Sequence, residues 1–391
     1  MRVAQRVSYI SPSLTLAIIA KAKRMKKEGI DVISLGAGEL DVDTPSYIKE
    51  AAYKAMLEGF TKYTPADGID ELKEAVISKY KKDYGISYEK DEVIICCGAK
   101  HALFNIAMVL FEEGDEVILP VPYWVTYPQQ INLMKAKAVF IETKEENNFE
   151  VNPEDIESKI TKKTKAMILN NPTNPTGAVY SEKTLSEIAD IAKKYGIFII
   201  YDECYEKIVY DGKHINIVAL REDIRDLVIL VNAVSKTYSM TGWRIGFALG
   251  NREIISYMKK IQSHQTSNPT SISQKAALAA ILSGDEFIKE IVKDLNKKRT
   301  YTYERLTSIS SKISCFKPSG TFYIFPNVSS LYNEKIKSSS DFADFLLTEA
   351  KVAVIPGAAF GNDEYIRISY TLSWEKLEEG LNRIEKVVTK L

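Results

Sequence analysis

The sequence is poor in the residues that form disulfide bonds and metal sites. Its 391 residues include four cysteines and three histidines, and none of them form a cluster with metal-ligand spacing. Cys96 and Cys97 are adjacent in a predicted strand, where neighbouring side chains point to opposite faces. We therefore expect reduced, mostly structural cysteines and no metal site.

The chain also lacks an excess of charge of one sign. Lysine plus arginine and aspartate plus glutamate both total 52. A chain with no formal net charge offers no broad basic surface for nucleic acid or for anionic membranes. This balance, and the lack of an added DNA-binding segment, argue against a DNA-binding regulator.

Long apolar runs are missing as well. No run approaches the length of about 18 residues that a membrane-spanning helix needs. Residues 1–6 lack the apolar core and the cleavage site of a secretory signal peptide. We therefore expect a cytoplasmic protein that has no membrane partner.

What is present is typical of a globular α/β protein. The length suggests about two domains, at roughly 150 residues for each domain. Apolar runs that favour buried strands alternate with stretches that favour helices. The predicted strands include 92–97, 116–120, 166–170, 197–201 and 226–231. The predicted helices include 14–28, 46–58, 181–195 and 285–310.

The segment 235–246, SKTYSMTGWRIG, follows one of these predicted strands. A lysine just beyond a buried strand leaves the edge of the sheet and points into a crevice where ligands collect. Arg244, which is always charged, is a fork suited to a phosphate. Ser235 adds a hydroxyl donor, and Gly242 allows a tight path. A lone lysine at Lys236 would more simply be a solvated surface residue.

Other polar residues stand where a predicted strand ends or within one. A buried carboxylate at Asp202 is costly unless a cation pairs with it, although it could instead cap a helix. Residues 98–100 join a strand to a helix N-terminus and could form an anion cradle, although an ordinary turn is the simpler interpretation. Arg367, inside an otherwise apolar strand, needs a counter-charge.

Several segments together resemble the class I pyridoxal-phosphate (PLP) aminotransferases. The segment 235–246 resembles the family's Schiff-base lysine motif. At least six motifs occur in the family's order, from about residue 5 to the C-terminus. The others include LGAGELDVDTP at 35–45, YTPADG at 63–68, PYW at 122–124, NNPTNPTG at 170–177, DECY at 202–205 and YIRISY at 365–370. Leu40 and Val42 stand where the family usually has proline and phenylalanine.

The resemblance implies an α/β protein of the PLP-dependent transferase fold (fold type I). A large domain would have a mostly parallel central sheet flanked by helices, beside a smaller α+β domain. The implied division is an N-terminal arm with part of the small domain at 1–45, the large PLP-binding domain at 46–285 and the small C-terminal domain at 286–391. A homodimer with active sites at its interface is also implied.

The resemblance implies a role for each matching residue. Lys236 would be catalytic, holding PLP as a Schiff base and then acting as general base. The implied cofactor-binding residues are Gly98, Ala99, Lys100, Trp124, Asn174, Asp202, Tyr205, Ser235, Lys236, Arg244 and, from the neighbouring subunit, Tyr63. The implied substrate-binding residues are Gly38, Trp124, Asn174, Arg367, Thr15 and Lys100. No metal is implied.

The substrate is predicted from two of these residues. In one subgroup of the family, a lysine in the phosphate turn and a threonine in the N-terminal arm bind the distal carboxylate of acidic substrates. Lys100 and Thr15 match them, and a cation at a helix N-terminus is otherwise electrostatically misplaced. We therefore predict ping-pong transfer of an amino group from L-aspartate to 2-oxoglutarate. Aromatic amino acids, prephenate, alanine and a carbon–sulfur β-lyase reaction remain alternatives.

Overall fold

The computed structural model describes residues 3–391, so the first two residues of the predicted arm lie outside the described range. Strands and helices alternate along most of the chain. The strands are β1 Ile33–Ser34, β2 Val93–Cys96, β3 Glu116–Val121, β4 Lys137–Glu142, β5 Thr164–Asn170, β6 Phe198–Asp202, β7 Val228–Ala233, β8 Gly246–Leu249, β9 Tyr323–Ile324, β10 Val352–Ala353, β11 Ile355–Pro356 and β12 Ile366–Ser369. The helices are α1 Leu14–Lys27, α2 Ser46–Leu57, α3 Asp70–Tyr84, α4 Ala99–Leu110, α5 Thr126–Leu133, α6 Pro153–Ser158, α7 Glu182–Tyr195, α8 Ile217–Leu220, α9 Val234–Thr237, α10 Arg252–Ser263, α11 Ser271–Ser283, α12 Asp285–Ile309, α13 Ser339–Phe345 and α14 Trp374–Val388.

A mostly parallel sheet organises the larger part of the molecule. Its strand order within the described residues is β2-β8-β7-β6-β5-β3-β4. β8 runs antiparallel to both of its neighbours, and the other pairs are parallel. All strands except β8 therefore end at the same edge, which is where ligands bind in open α/β sheets.

Helices cover both faces of this sheet. Apolar side chains of α2, α3, α7 and α11 form the core on one face, while those of α4, α5 and α10 form the core on the other. The central strands are buried on both sides, because each face meets a helical layer. This explains why β7 is apolar over most of its length instead of alternating with polar residues.

A smaller core lies beside the sheet. It contains apolar residues from β1, from α12 to α14 and from the short strands β9, β10 and β12. β11, β12 and β9 form an antiparallel sheet, and β1 pairs in parallel with β10. The 33–40 segment thus packs with the C-terminal part of the chain, and the domain division at residues 45 and 285 stays a prediction.

The predicted elements are found with small shifts at their ends. The predicted strand 226–231 corresponds to β7, Val228–Ala233. It begins two residues later than predicted, because Asp226 and Leu227 belong to a preceding 3-10 turn. α4 begins at Ala99, which places Lys100 in its first turn. Two strands of the large sheet, β4 and β8, were absent from the prediction.

The structure adds three observations on cysteines, metals and membranes. All four cysteines are free. Within residues 3–391, no group of three or more histidine, cysteine, aspartate or glutamate side chains is arranged to hold a metal ion. No helix in the same range has the length and apolar character that crossing a membrane requires.

Candidate active site

A cavity of about 640 Å³ opens at the edge where the parallel strands end. β5 ends at Asn170 and β6 at Asp202, and these two residues are paired in register. β7 ends at Ala233, one turn before Lys236. The sheet topology therefore brings to one place side chains that are distant in the sequence.

This cavity is lined by most of the residues that were predicted to bind cofactor or substrate. They are Thr15, Gly38, Ala99, Lys100, Trp124, Asn174, Asp202, Tyr205, Ser235, Lys236, Arg244 and Arg367. Gly98 does not line the cavity but lies behind Arg244. Tyr63 lies away from the cavity and is 87% exposed.

Lys236 lies in the short helix α9 and is half-buried. Its Nζ donates a hydrogen bond to the carbonyl oxygen of Gly38. This contact joins the lysine to the 35–38 segment, so the motifs LGAGELDVDTP at 35–45 and SKTYSMTGWRIG at 235–246 lie against each other. Lys236 is thus aimed into the cavity and meets a neutral acceptor rather than a carboxylate.

The loop that follows Lys236 is fixed by the 39–44 segment. Trp243 Nε1 donates to Thr44 Oγ1 at 3.0 Å, and Thr241 Oγ1 donates to Glu39 Oε2 at 2.8 Å. Ser239 also donates to a carbonyl of the same segment. These bonds explain why residues 239–244 follow one path although the loop is largely polar.

Arg244 and the N-terminus of α4 form a cationic corner of the cavity. Gly98, the N-cap residue of α4, has φ of +88°, and a Cβ there would lie 2.3 Å from Arg244 Nη2. Glycine therefore meets both a backbone requirement and a steric one. Arg244 Nη1 donates to the carbonyl of Thr241 at 2.8 Å. The free N–H groups of the helix and the guanidinium together favour an anion.

Lys100 belongs to the same corner. Its Nζ lies 5.0 Å from the centre of the Trp124 ring, so the indole partly compensates its charge. Burial lowers the pKa of Lys100, and the charges of Arg244 and Lys236 lower it further. An anion bound among these cations would be strongly attracted to them.

Asp202 provides a buried carboxylate in the same cavity, and it is 4% exposed. Tyr127 donates to its Oδ2 at 2.7 Å, and the N–H of Cys204 donates to its Oδ1 at 3.1 Å. Burial raises the pKa of Asp202 in spite of both hydrogen bonds. The carboxylate thus has neutral donors but no ionic partner among the described residues, and it is suited to receive a cation.

Arg367 is the buried cation of the cavity, at 3% exposed. Its Nη1 donates to Asn174 Oδ1 at 2.9 Å and its Nη2 to the carbonyl of Gly36 at 3.1 Å. The guanidinium carbon lies 4.1 Å from the centre of the Tyr323 ring, and its Nε has no partner in the described residues. Arg367 is therefore held in place by neutral groups and keeps its charge available for a carboxylate.

The N-terminal part of α1 closes another side of the cavity. Ser13 caps this helix, and its Oγ accepts a hydrogen bond from the N–H of Leu16. Thr15, in the first turn, is half-buried, and its Oγ1 is a buried atom without a hydrogen-bond partner. That hydroxyl is free to bind a polar ligand atom.

Some residues of the site were missed by the sequence analysis. Tyr127 bonds Asp202, Asn170 Oδ1 accepts from the N–H of Asn174 at 2.8 Å, and Tyr323 pairs its hydroxyl with that of Tyr205 at 3.0 Å. Asn170 stands directly at a strand end, which was a usable signal. Tyr127 lies three residues after Trp124, but its bond connects it to Asp202, 75 residues away, and no local pattern marks it or Tyr323.

The architecture and the lysine at the carboxyl edge of the sheet define a class of proteins. The fold is that of the fold type I transferases, which confirms the fold class predicted from the sequence. The crystal structure of aspartate aminotransferase from Rhizobium meliloti has a TM-score of 0.95 at 39% identity, over 99% of both chains. The structure of the Thermus thermophilus aspartate aminotransferase with maleate has a TM-score of 0.93 at 37% identity, over 99% of this chain and 100% of that one.

Sequence comparisons define the family. A family model described as aminotransferase class I and II matches residues 30–384. An aspartate aminotransferase of Bacillus subtilis (strain 168) is 45% identical over 392 residues, which cover 100% of each chain. A probable aspartate/prephenate aminotransferase of Aquifex aeolicus (strain VF5) is 44% identical over 391 residues and 99% of each chain. The chain belongs to the class I and II aminotransferase family and is an aminotransferase.

Proposed function

We propose that this enzyme uses PLP to move the amino group of L-aspartate to 2-oxoglutarate, giving oxaloacetate and L-glutamate. The observation that carries the proposal is the charge pattern of the cavity. Lys100, Lys236, Arg244 and Arg367 line it without a carboxylate partner among the described residues, beside the single buried acid Asp202. Anionic ligands with one cationic group would satisfy both signs of charge.

The residues present fit PLP. Its phosphate would bind at Arg244, Ser235 and the N-terminus of α4, where a helix end favours anions. Its ring nitrogen, when protonated, would pair with Asp202. Burial raises the pKa of this carboxyl group, which has no ionic partner among the described residues. Trp124 would pack against the ring, and Asn174 and Tyr205 would donate to the phenolic oxygen.

The chain's own residues would perform the proton transfers. When bound, PLP supplies an electron sink that stabilises negative charge at the substrate's α-carbon. Lys236 would hold PLP covalently until substrate displaces it, and its free amino group would then take the α-carbon proton. Arg367 and Asn174, with the N–H of Gly38, would bind the α-carboxylate and so orient the reacting bond.

Substrate choice would depend on Lys100 and Thr15. Both line the cavity, and Thr15 has an unpartnered hydroxyl. Lys100 would attract the distal carboxylate, and Thr15 would donate to it. Maleate, in the Thermus relative, is a four-carbon dicarboxylate like aspartate, which supports this assignment.

Prephenate is a second candidate substrate. Relatives that are 44% identical are described as probable aspartate/prephenate aminotransferases. Prephenate also has a second carboxylate beyond its 2-oxo acid group, so the same two residues could bind it. Competition between prephenate and 2-oxoglutarate as amino acceptors would reveal this activity.

We propose further that the functional unit is a cytoplasmic homodimer. Tyr63 is 87% exposed and lies outside its own cavity, which supports a role in the site of a neighbouring subunit. Tyr53, Met56 and Leu57 of α2 are also exposed apolar side chains. Analytical ultracentrifugation should give a species of twice the chain mass.

The first test is the visible absorption spectrum of the purified protein with PLP, before and after L-aspartate is added. A band that shifts to the region of the aminated cofactor would support both the cofactor and the half-reaction. A PLP band that aspartate does not change would refute the choice of donor. Release of ammonia and pyruvate from cystathionine, without an oxo acid, would indicate a β-lyase instead.

The second test replaces the lysine. Lys236→Ala should lose covalent attachment of PLP, measured by borohydride trapping and mass spectrometry, and should lose transamination. Lys137→Ala is a suitable control, since Lys137 is exposed and pairs with Glu116. Normal turnover by Lys236→Ala would contradict the mechanism.

A further inference from the structure

A cluster of buried polar side chains lies behind the cofactor-binding turn and takes no part in the proposed chemistry. The turn 203–206 follows Asp202 at the end of β6. Asp202, Cys204 and Tyr205 face the cavity. Glu203 and Glu206 do not line it, and they are 0% and 4% exposed. Two buried carboxylates are thus placed on the opposite side of the segment that carries Asp202 and Tyr205.

Glu203 accepts hydrogen bonds from three directions. The hydroxyl of Tyr80, in α3, donates to its Oε1. Asn216 Nδ2 donates to its Oε2 at 3.0 Å, and His214 Nε2 lies 2.9 Å from the same oxygen. The backbone N–H of Glu203 also donates to the carbonyl of Val231 in β7, at 2.9 Å. Glu203 therefore fixes the start of the turn both to α3 and to the neighbouring strand.

Glu206 fixes the end of the turn to the same helix. Its carboxylate forms an ion pair with Lys79 and accepts from the hydroxyl of Tyr84. Burial by itself would raise the pKa of Glu206, but the charges of Lys79, Lys207 and His214 outweigh burial and lower it to about 2. Glu206 is thus an anion held in a dry environment by contacts that define its position closely.

A further bond extends the cluster towards the catalytic lysine. Asn232 Nδ2 donates to Glu206 Oε1 at 2.8 Å, and Asn232 also contacts the Tyr80 hydroxyl at 3.3 Å. Asn232 belongs to β7, whose last residue, Ala233, directly precedes α9 and Lys236. The cluster therefore binds the two strand ends that carry Asp202 and Lys236.

We propose that Glu203 and Glu206 are positioning residues, which hold Asp202 and Lys236 in a fixed relation by anchoring both strand ends to α3. Buried ionic groups are poor sources of net stability, because desolvation cancels most of their attraction. A cofactor held at Lys236 and at Asp202 would bind well only if the two residues keep their spacing. The inference rests on the proposed use of PLP.

The test compares four variants of the full-length protein: Glu206→Gln, Tyr80→Phe, Lys298→Met and Lys79→Arg. Glu206→Gln removes the charge that Lys79 and Tyr84 bind, and Tyr80→Phe is a milder change that removes one donor to Glu203. Lys298→Met is the matched control, because Lys298 is 6% exposed and pairs with Asp294 at 2.7 Å, but lies in α12 of the smaller core. Each protein is measured for its cofactor-free unfolding midpoint, its PLP dissociation constant and the visible circular dichroism of bound PLP.

Glu206→Gln should weaken PLP binding by about ten-fold, as expected for the loss of a hydrogen-bonded charge, and should change the visible dichroic band. Tyr80→Phe should also weaken PLP binding and change the visible dichroic band, but by smaller amounts. Lys298→Met should lower the unfolding midpoint and leave both cofactor measurements within about two-fold of wild type, as expected for a distant site. Lys79→Arg, which keeps the charge, should retain PLP affinity.

The results separate this inference from the function on which it rests. If the wild-type protein forms no PLP band, the proposed function is wrong. If wild type binds PLP, but Glu206→Gln and Tyr80→Phe lose only stability, as the control does, the cluster is merely structural and the inference is overturned. If both variants lose affinity and alter the dichroic band while the control does not, positioning is supported.

Discussion

Replacing Asp202 with asparagine should change two properties in opposite directions. The carboxylate is 4% exposed and has neutral donors only, so its charge is a cost to the cofactor-free fold. In the loaded enzyme the same charge would pair with a protonated ring nitrogen. The variant should therefore be more stable than wild type without PLP, and it should bind PLP much more weakly.

The gain in stability of cofactor-free Asp202→Asn can be worked out from the contacts of the carboxylate. An uncompensated buried charge costs about 3–5 kcal/mol. Asparagine can still contact Tyr127 and the N–H of Cys204, but a bond to a neutral group is weaker by about 1 kcal/mol, so the two bonds lose about 2 kcal/mol. The net gain is about 1–3 kcal/mol, which corresponds to about 1–4 °C in the unfolding midpoint of a chain this long, at an unfolding entropy of about 2.1 cal/mol/K per residue.

The gain should depend on pH with a definite sign. Burial raises the pKa of Asp202 above its ordinary value of 3.8, so the folded protein keeps this proton to higher pH than the unfolded chain does. Ionising Asp202 therefore costs no stability at low pH. The loss of stability develops as pH rises from 3.8 through the raised pKa. The advantage of Asp202→Asn should be largest at neutral pH and should vanish as pH falls towards about 4.

Circular dichroism during heating of cofactor-free protein, at several pH values, measures the first effect, and a PLP titration measures the second. Loss of the ring-nitrogen partner should weaken PLP binding by more than about 100-fold, equivalent to about 3 kcal/mol or more. Asp344→Asn is a control in an exposed pair with Lys21, where little change is expected. A lower midpoint for cofactor-free Asp202→Asn at neutral pH would refute the reasoning.

Two further variants test the cationic corner. Gly98→Ala would place a methyl group 2.3 Å from Arg244 Nη2. It should raise the PLP dissociation constant by more than about ten-fold, a loss of about 1.4 kcal/mol in binding free energy. An equal effect on the binding of phosphate-free pyridoxal would contradict a role in phosphate binding. Lys100→Met should reduce kcat/KM for L-aspartate by about 30-fold or more, since truncating one partner of a charge pair costs about 2 kcal/mol or more. The loss for L-alanine should be much smaller, and Lys137→Met should leave both unchanged; equal losses for both substrates would rule out the distal-carboxylate role.

The sequence was most informative where a residue's position depends on its immediate neighbours. Lys236 and Asp202 follow buried strands, and Arg367 stands within one, so apolar patterns were enough to place them near a sheet or at its edge. The structure brings the three residues together in one cavity, and their individual roles stay predictions. α1 was likewise predicted to within one residue, as 14–28 against the observed Leu14–Lys27.

Contacts between distant segments could not be predicted in this way. Tyr127 and Asp202 are separated by 75 residues, and Tyr205 and Tyr323 by 118. Such pairs depend on strand order and on the packing of the smaller core, which local patterns do not contain. β8 was missed for a related reason. Its four residues begin at Gly246, the last residue of the 235–246 motif. Their antiparallel pairing with β2 and β7 depends on strand order, which local patterns do not contain.

The buried polar cluster behind the turn explains why residues without chemistry can matter to this site. Asp202 is the last residue of β6 and Lys236 follows the end of the adjacent β7, and strand ends are where main-chain pairing stops and local opening is easiest. Glu203, Glu206 and Asn232 add side-chain bonds from the neighbourhood of both strand ends to Tyr80 and Lys79 of α3. A hydrophobic filling could give equal stability, but it would lack the directional bonds that fix spacing. The cost of burying these charges is thus explained by positional precision rather than by stability.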